Sequence, residues 1–225
     1  MISAVIFDRD GVLTQFDIQA GIDYFESLLP IDLYELSDRW EQWGIQVGFP
    51  CDLAQEKEFW RGFWENLGNE LSLPQTIRRQ LHRIDYKLFL QPYADARTAL
   101  LQAHSRRLRV GVLSNFTLAS LDTSLSAVGF GGLVDVAYAA PVIGAYKPEA
   151  AAYEAISQAL RVYPEQCLYF DDEPAYVDGA RDFGMQAFLV DRQRIEHSLA
   201  EGVVCDLSAL PHILDKMPLN HSITM

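Results

Sequence analysis

Short apolar segments alternate with helical segments over the second half of the chain, and this alternation constrains the fold more than any other feature. Four segments have the apolar, β-branched character of buried strands: residues 108–113, 133–139, 167–170 and 186–190. Five segments have helical patterns: residues 94–104, 118–128, 147–161, 174–183 and 207–216. Strands that alternate with helices of this length predict right-handed βαβ units around a parallel sheet. The expected fold class is therefore α/β, with a Rossmann-like parallel core and a loose tail from Pro218 onward.

A block of different character separates this pattern from one further strand, residues 2–7, at the start of the chain. The block spans residues 15–90 and is helical in pattern, with loop signals at its glycines and prolines. Because strands lie on both sides of it, we expect an all-helical cap domain inserted into a core of residues 1–14 and 91–225.

The inserted block is rich in aromatic side chains. It contains every tryptophan of the chain: Trp40, Trp43, Trp60 and Trp64. Their helical spacing favours the core of a small cap, and a lid over an apolar substrate and a dimer face are the two alternatives. Residues 44–51 form the loop that we expect to reach over the site.

Charge and cysteine content narrow the range of partners and compartments. The 225 residues carry 18 Lys plus Arg against 31 Asp plus Glu, for a formal charge of −13. A chain this acidic repels nucleic acids and anionic membranes, so neither is an expected partner. Cys51, Cys167 and Cys205 are far apart and odd in number, which favours buried thiols in a reducing compartment. We expect a cytoplasmic protein that is a monomer or a homodimer.

Polar side chains stand where the predicted strands end or a helix begins. They are Asp8, Asp10, Ser114, Lys147, Asp171 and Asp172. In an open parallel sheet the carboxyl ends of the strands form the ligand site, so these side chains are expected to converge. Several carboxylates brought together repel one another, and a hard cation such as Mg²⁺ relieves that repulsion. A lysine and a hydroxyl beside the cation suit a phosphate group.

Four ordered motifs of this sequence resemble those of the haloacid dehalogenase-like hydrolase superfamily. They comprise residues 5–14, 112–115, 147–149 and 168–174. The helical block occupies the place where one subclass of that superfamily carries its cap. The resemblance implies an enzyme with Asp8 as the nucleophile that attacks phosphorus and Asp10 as the general acid and then the general base. Lys147 would offset the charge of the nucleophile and of the transferred group.

The resemblance also implies a phosphate site and a metal site. Ser114 and the backbone N–H of Asn115 would bind phosphate oxygens, together with Lys147. Mg²⁺ would be the cofactor, held by Asp8, the carbonyl of Asp10, and Asp172, with Asp171 as a nearby support.

Two positions bear on which reaction is expected. Tyr176 stands where relatives often carry a second acid of the fourth motif, which removes one contact on the metal side. Asp10 is an acid where the dehalogenases of the superfamily lack one, which favours phosphoryl chemistry over haloacid chemistry. We therefore expect a Mg²⁺-dependent phosphatase that hydrolyses a small phosphorylated metabolite through an aspartyl-phosphate. A phosphomutase of a sugar phosphate and a catalytically weak binding relative are the alternatives.

Overall fold

A six-stranded parallel sheet forms the core of the computed structural model, which describes residues 1–216. The eight strands are β1 (Ala4–Phe7), β2 (Thr14–Phe16), β3 (Leu90–Pro92), β4 (Arg109–Ser114), β5 (Val136–Ala139), β6 (Cys167–Asp171), β7 (Gln186–Val190) and β8 (Val203–Val204). Six of them pair in the order β5-β4-β1-β6-β7-β8, and every neighbouring pair is parallel. The α/β expectation and the Rossmann-like core are confirmed. The tail predicted from Pro218 onward lies outside the described residues.

Within residues 1–216, ten α-helices connect or cover these strands. They are α1 (Ile18–Glu26), α2 (Leu33–Val47), α3 (Leu53–Glu70), α4 (Gln75–Leu81), α5 (Ala96–Ser105), α6 (Leu121–Ala127), α7 (Ala140–Ile143), α8 (Ala150–Leu160), α9 (Pro174–Asp182) and α10 (Leu210–Lys216). Within residues 1–216 none of the helices has both the length and the apolar character needed to cross a membrane.

The sheet is buried on both faces, as its position between two helical layers requires. Successive side chains of a strand point to opposite faces. Val5 and Phe7 of β1 accordingly pack in one apolar cluster with α5 and α10, whereas Ala4 and Ile6 pack in a second cluster with α8 and α9. This double burial explains why the strands read as continuous apolar runs.

Helices α1 to α4 have an apolar cluster of their own. Phe25 of α1, Leu36 of α2 and both Phe63 and Trp64 of α3 are buried in it. Aspartates cap three of these helices, because Asp17, Asp32 and Asp52 each accept a hydrogen bond from a backbone N–H of the first turn. The antiparallel pair β2 and β3 joins the two chain crossings between this helical block and the sheet. The domain limits 1–14, 15–90 and 91–225 remain predictions.

Several predicted elements are shorter than expected. Helix α8 begins at Ala150 and not at Lys147, because Lys147 and Pro148 lie in a turn closed by a hydrogen bond from the Glu149 N–H to the Tyr146 carbonyl. The strand expected from residue 133 begins at Val136. Just before it, the Asp135 N–H donates to the Val110 carbonyl, and the Asp135 carboxylate accepts from the Val110 N–H. The expectation of buried thiols is wrong for Cys51, which is exposed, and for Cys205, which is half-buried; all three cysteines are unpaired.

Candidate active site

Lys147 bridges two buried carboxylates at the carboxyl edge of the sheet. Its Nζ donates a hydrogen bond of 2.7 Å to Asp8 Oδ1 and another of 2.7 Å to Asp171 Oδ2. Asp8 directly follows β1 and Asp171 ends β6, and these neighbouring strands are in register through Phe7 and Phe170. The parallel pairing therefore brings Asp8 beside Asp171, which lies 163 positions later in the sequence, and Lys147 reaches both of them.

One ammonium does not neutralise two buried carboxylates, and the pKa values reflect this. Burial raises the pKa of Asp8 to about 7; the Lys147 charge opposes the shift and the Asp171 charge adds to it. Burial alone would lower the pKa of Lys147, but the two facing carboxylates outweigh it and hold that pKa above the ordinary lysine value. The cluster thus carries an excess negative charge whenever Asp8 is ionised.

Asp172 completes a group of carboxylates that suits a hard cation. One oxygen each from Asp8, Asp171 and Asp172 lie within 4.8 Å of one another. Burial, followed by the charge of Asp171, raises the pKa of Asp172 to about 6. Gly11 makes room for this carboxylate: a Cβ at Gly11 would lie 1.9 Å from Asp172 Oδ2. Carboxylate oxygens are what Mg²⁺ prefers, so the donor set and its excess charge fit the predicted ion.

Asp10 is held away from this group by its neighbour. The Arg9 guanidinium forms an ion pair with the Asp10 carboxylate, and its Nε lies 3.1 Å from Oδ1 and 3.0 Å from Oδ2. Thr14 Oγ1 donates to Asp10 Oδ1 at 3.2 Å. Arg9 itself is buried, lies over the Phe116 ring at 3.7 Å and donates to Ser124 Oγ. The sequence predicts that the Asp8 and Asp10 side chains converge. In this structure the Asp10 carboxylate is instead turned toward the Arg9 guanidinium.

Of the three predicted phosphate-binding residues, Asn115 and Lys147 are in contact, and Ser114 directly precedes Asn115. Ser114 is buried at the end of β4, and its Oγ accepts a hydrogen bond of 3.2 Å from the Phe116 N–H. The Asn115 side chain makes two hydrogen bonds with the backbone of Lys147, at 2.9 Å to its carbonyl and 2.8 Å from its N–H. The Asn115 side chain therefore positions the lysine, which leaves the predicted phosphate contact to its backbone N–H.

Comparison with known proteins identifies the architecture that this site belongs to. A family model described as haloacid dehalogenase-like hydrolase matches residues 2–184. The chain belongs to this family. The resemblance seen in the four motifs is thereby confirmed, and the protein is a hydrolase.

Relatives within the haloacid dehalogenase-like hydrolases include both phosphatases and dehalogenases. A phosphatase of Mycobacterium tuberculosis is 43% identical over 217 residues, which cover 95% of this chain and 97% of the relative. Haloacetate dehalogenase H-2 of Moraxella sp. (strain B) is 26% identical over 195 residues, which cover 85% of this chain and 86% of that dehalogenase. The solved structure of L-2-haloacid dehalogenase from Xanthobacter autotrophicus has the same fold, with a TM-score of 0.66 and 22% sequence identity. The match covers 97% of this chain and 100% of the dehalogenase.

Two tyrosines complete the haloacid dehalogenase-like site and were not predicted as parts of it. The Tyr169 hydroxyl donates a hydrogen bond to Asp171 Oδ2. A sequence signal existed for this contact, because residues two apart on a strand share one face. Tyr176, which stands in place of an acid, puts its ring 4.9 Å from the Lys147 ammonium. The position where a second acid is common thus carries an aromatic ring that packs against the Lys147 ammonium.

The helical block contacts the catalytic core through a buried glutamate that the sequence did not single out. Glu56 of α3 accepts hydrogen bonds from the Ser120 backbone N–H at 2.7 Å and from the Ser120 hydroxyl at 2.6 Å. The Tyr86 hydroxyl lies 2.9 Å from the same Ser120 hydroxyl. The sequence predicts a loop over residues 44–51 that covers the site. This is wrong for the first half of that range, because residues up to Val47 belong to helix α2. The side chains next to Asp10 come instead from Trp40, Trp60 and Tyr86, among others.

Proposed function

We propose that the protein is a Mg²⁺-dependent phosphatase that hydrolyses a small phosphorylated metabolite. The observation that carries the proposal is the buried cluster of Asp8, Lys147 and Asp171, with Asp172 beside it. It offers a carboxylate nucleophile and places an ammonium where charge develops on a transferred phosphoryl group. Its excess negative charge provides a reason for a divalent cation to bind.

The proposed reaction has two steps. In the first, an Asp8 carboxylate oxygen forms a bond to phosphorus while the bond from phosphorus to the ester oxygen breaks, and Asp10 gives a proton to the leaving oxygen. Lys147 already holds Asp8 Oδ1, which leaves Oδ2 without a hydrogen-bond partner among the described residues. In the second, water attacks phosphorus, Asp10 takes its proton, and the Asp8 carboxylate and inorganic phosphate are released.

The surrounding residues orient this chemistry. Ser114 Oγ and the Asn115 N–H would hold phosphate oxygens, and the Asn115 side chain fixes the lysine backbone that carries the ammonium. Mg²⁺, held by Asp8, Asp172 and the Asp10 carbonyl, would neutralise charge between the nucleophile and the phosphate. The ion pair between Asp10 and Arg9 must open before the Asp10 carboxyl can give its proton to the leaving oxygen.

A haloacid dehalogenase is the second candidate, because relatives over most of the chain carry that name. The chemistry of the leaving group argues for the first candidate. A halide leaves without a proton, whereas the oxygen of a phosphate ester needs one, and Asp10 is a residue that can supply it. The clustered carboxylates have a further use in binding a cation for phosphoryl transfer.

The test compares phosphate release from p-nitrophenyl phosphate and chloride release from 2-chloropropionate, each with Mg²⁺ and with a chelator. We expect Mg²⁺-dependent phosphate release that falls at least about 1,000-fold in Asp8→Asn. Asp178→Asn is the matched control, since that aspartate is exposed on α9 and pairs with Arg181. Chloride release without phosphate release would reverse the assignment. A sugar phosphate supplied as a third substrate and returned as its isomer would indicate a mutase.

A further inference from the structure

A cavity of about 370 Å³ lies within the helical block. Its walls are mainly apolar and include Trp40, Trp60, Trp64 and Tyr86. The space is partly open to solvent, so a small molecule can enter it from the surface of the helical block. The volume falls within the range of small-molecule sites, about 300–1,000 Å³.

A smaller cavity of about 230 Å³ lies beside this space and reaches the proposed catalytic acid. Arg9, Asp10 and Phe116 are among its lining residues. Four further side chains line both cavities: Phe16, Trp40, Trp60 and Tyr86. The two spaces are therefore neighbours, with Asp10 at one end and the aromatic walls at the other.

We propose that the aromatic cavity binds the alcohol or phenol part of the substrate and that this part is an apolar ring system. The inference rests on the proposed phosphatase function, because Asp10 must lie at the leaving oxygen in order to protonate it. An ester oxygen placed there directs the attached carbon atoms into the smaller cavity and then toward the tryptophans.

The form of the walls selects for a flat, apolar group. Trp60 is nearly parallel to Trp64, at 5.7 Å and 16°, and to Tyr86, at 6.4 Å and 25°. Offset stacking leaves part of each ring uncovered, and Trp60 and Tyr86 are only half-buried, so a further ring can pack on their open parts. A sugar would bury hydroxyls among these rings at a cost in free energy, since the buried polar wall residue Glu56 is already bonded to Ser120. Of the other polar wall residues, Ser37, Asp85 and Lys87, the last two already pair with each other.

The test measures kcat/KM for phenyl phosphate and 2-naphthyl phosphate with Mg²⁺, because their leaving groups are similar in acidity and differ in apolar area. The second ring adds four carbons, whose burial predicts a preference of about tenfold for the naphthyl ester. Trp60→Leu should reduce this preference below about threefold, and Trp60→Phe should retain part of it. Trp43→Leu is the matched control: Trp43 lies on α2, packs against Gly62 and lines neither cavity.

A second measurement uses the unaltered enzyme and does not depend on a variant folding. 2-Naphthol should inhibit phenyl phosphate hydrolysis, whereas glycerol at the same concentration should not. Equal kcat/KM for the two esters without inhibition by 2-naphthol would overturn the cavity proposal and leave the phosphatase standing. A preference that survives Trp60→Leu, or that Trp43→Leu removes equally, would overturn it too. Absence of phosphate release from these esters and from p-nitrophenyl phosphate would overturn the proposed function itself.

Discussion

Replacing Lys147 with methionine tests whether the ion cluster has the burial and geometry described. The substitution keeps the length of the side chain and removes the charge. Lys147 side-chain exposure is 2%, and those of its partners Asp8 and Asp171 are 8% and 1%. Removing the ammonium leaves two carboxylates facing each other out of water. Loss of one partner from a buried ion pair costs about 3–5 kcal/mol, and we expect Lys147→Met to lower the free energy of unfolding by that amount at pH 8.

A second lysine provides the control for this loss. Lys87 pairs with Asp85 at 2.9 Å, but its side chain is 24% exposed and that of Asp85 is 48% exposed. Surface pairs contribute up to about 1 kcal/mol, so Lys87→Met should have a small effect. Both variants are unfolded with urea in the presence of a chelator.

The pH dependence adds a second criterion for Lys147→Met. The lysine charge opposes the raised pKa of Asp8, so its removal raises that pKa further above 7. The remaining carboxylates then take up protons as the pH falls, and the loss of stability should be smaller at pH 5 than at pH 8. The reasoning would be refuted if Lys147→Met cost no more than Lys87→Met at pH 8, or if its cost did not change with pH.

Four further predictions concern groups in and around the site. Because the folded-state pKa of Asp8 is about 7 against 3.8 in the unfolded chain, the metal-free protein should lose stability as pH rises through that interval. Mg²⁺ must displace this proton, so calorimetry should show its affinity falling about tenfold per pH unit from pH 7 to pH 6. The fall should be steeper below pH 6, where Asp172 also takes up a proton, and a flat profile would contradict the assignment. Tyr169→Phe removes a donor from buried Asp171 and should lower the unfolding free energy by about 1–3 kcal/mol in urea titrations; no loss would indicate that the hydroxyl is not bonded there. Glu56→Ala leaves the Ser120 N–H without its acceptor, so hydrogen exchange at that amide should become faster, and unchanged exchange would count against this contact.

The sequence predicted the fold and the convergence of the central residues for physical reasons. Parallel strands all end at one edge of a sheet, so Asp8 and Asp171 could be placed together without coordinates. Lys147 could be placed there because it lies between a strand and a helix of the same βαβ pattern. The periodicities that mark strands and helices are local, and they were strong in this chain.

The orientations of the side chains could not be predicted in the same way. Whether Asp10 faces Asp8 or Arg9 depends on side-chain torsions and on the packing of Phe116, neither of which leaves a periodic signal. The Glu56 contact joins residues 64 positions apart that belong to different parts of the fold. Helical spacing showed that the tryptophans share a face, but it does not distinguish a filled core from one that encloses a cavity. Strand β8, with two residues, is too short to give a pattern.

The central claim is that Asp8 attacks phosphorus, and rapid acid quench followed by peptide mass spectrometry tests it most directly. The enzyme with Mg²⁺ is mixed with p-nitrophenyl phosphate, quenched within the first turnover and digested. The peptide containing Asp8 should gain the mass of one phosphoryl group, and fragmentation should place this group on the Asp8 carboxyl. The corresponding peptide of Asp8→Asn should gain none. Release of phosphate without such an adduct, or an adduct on another residue, would contradict it.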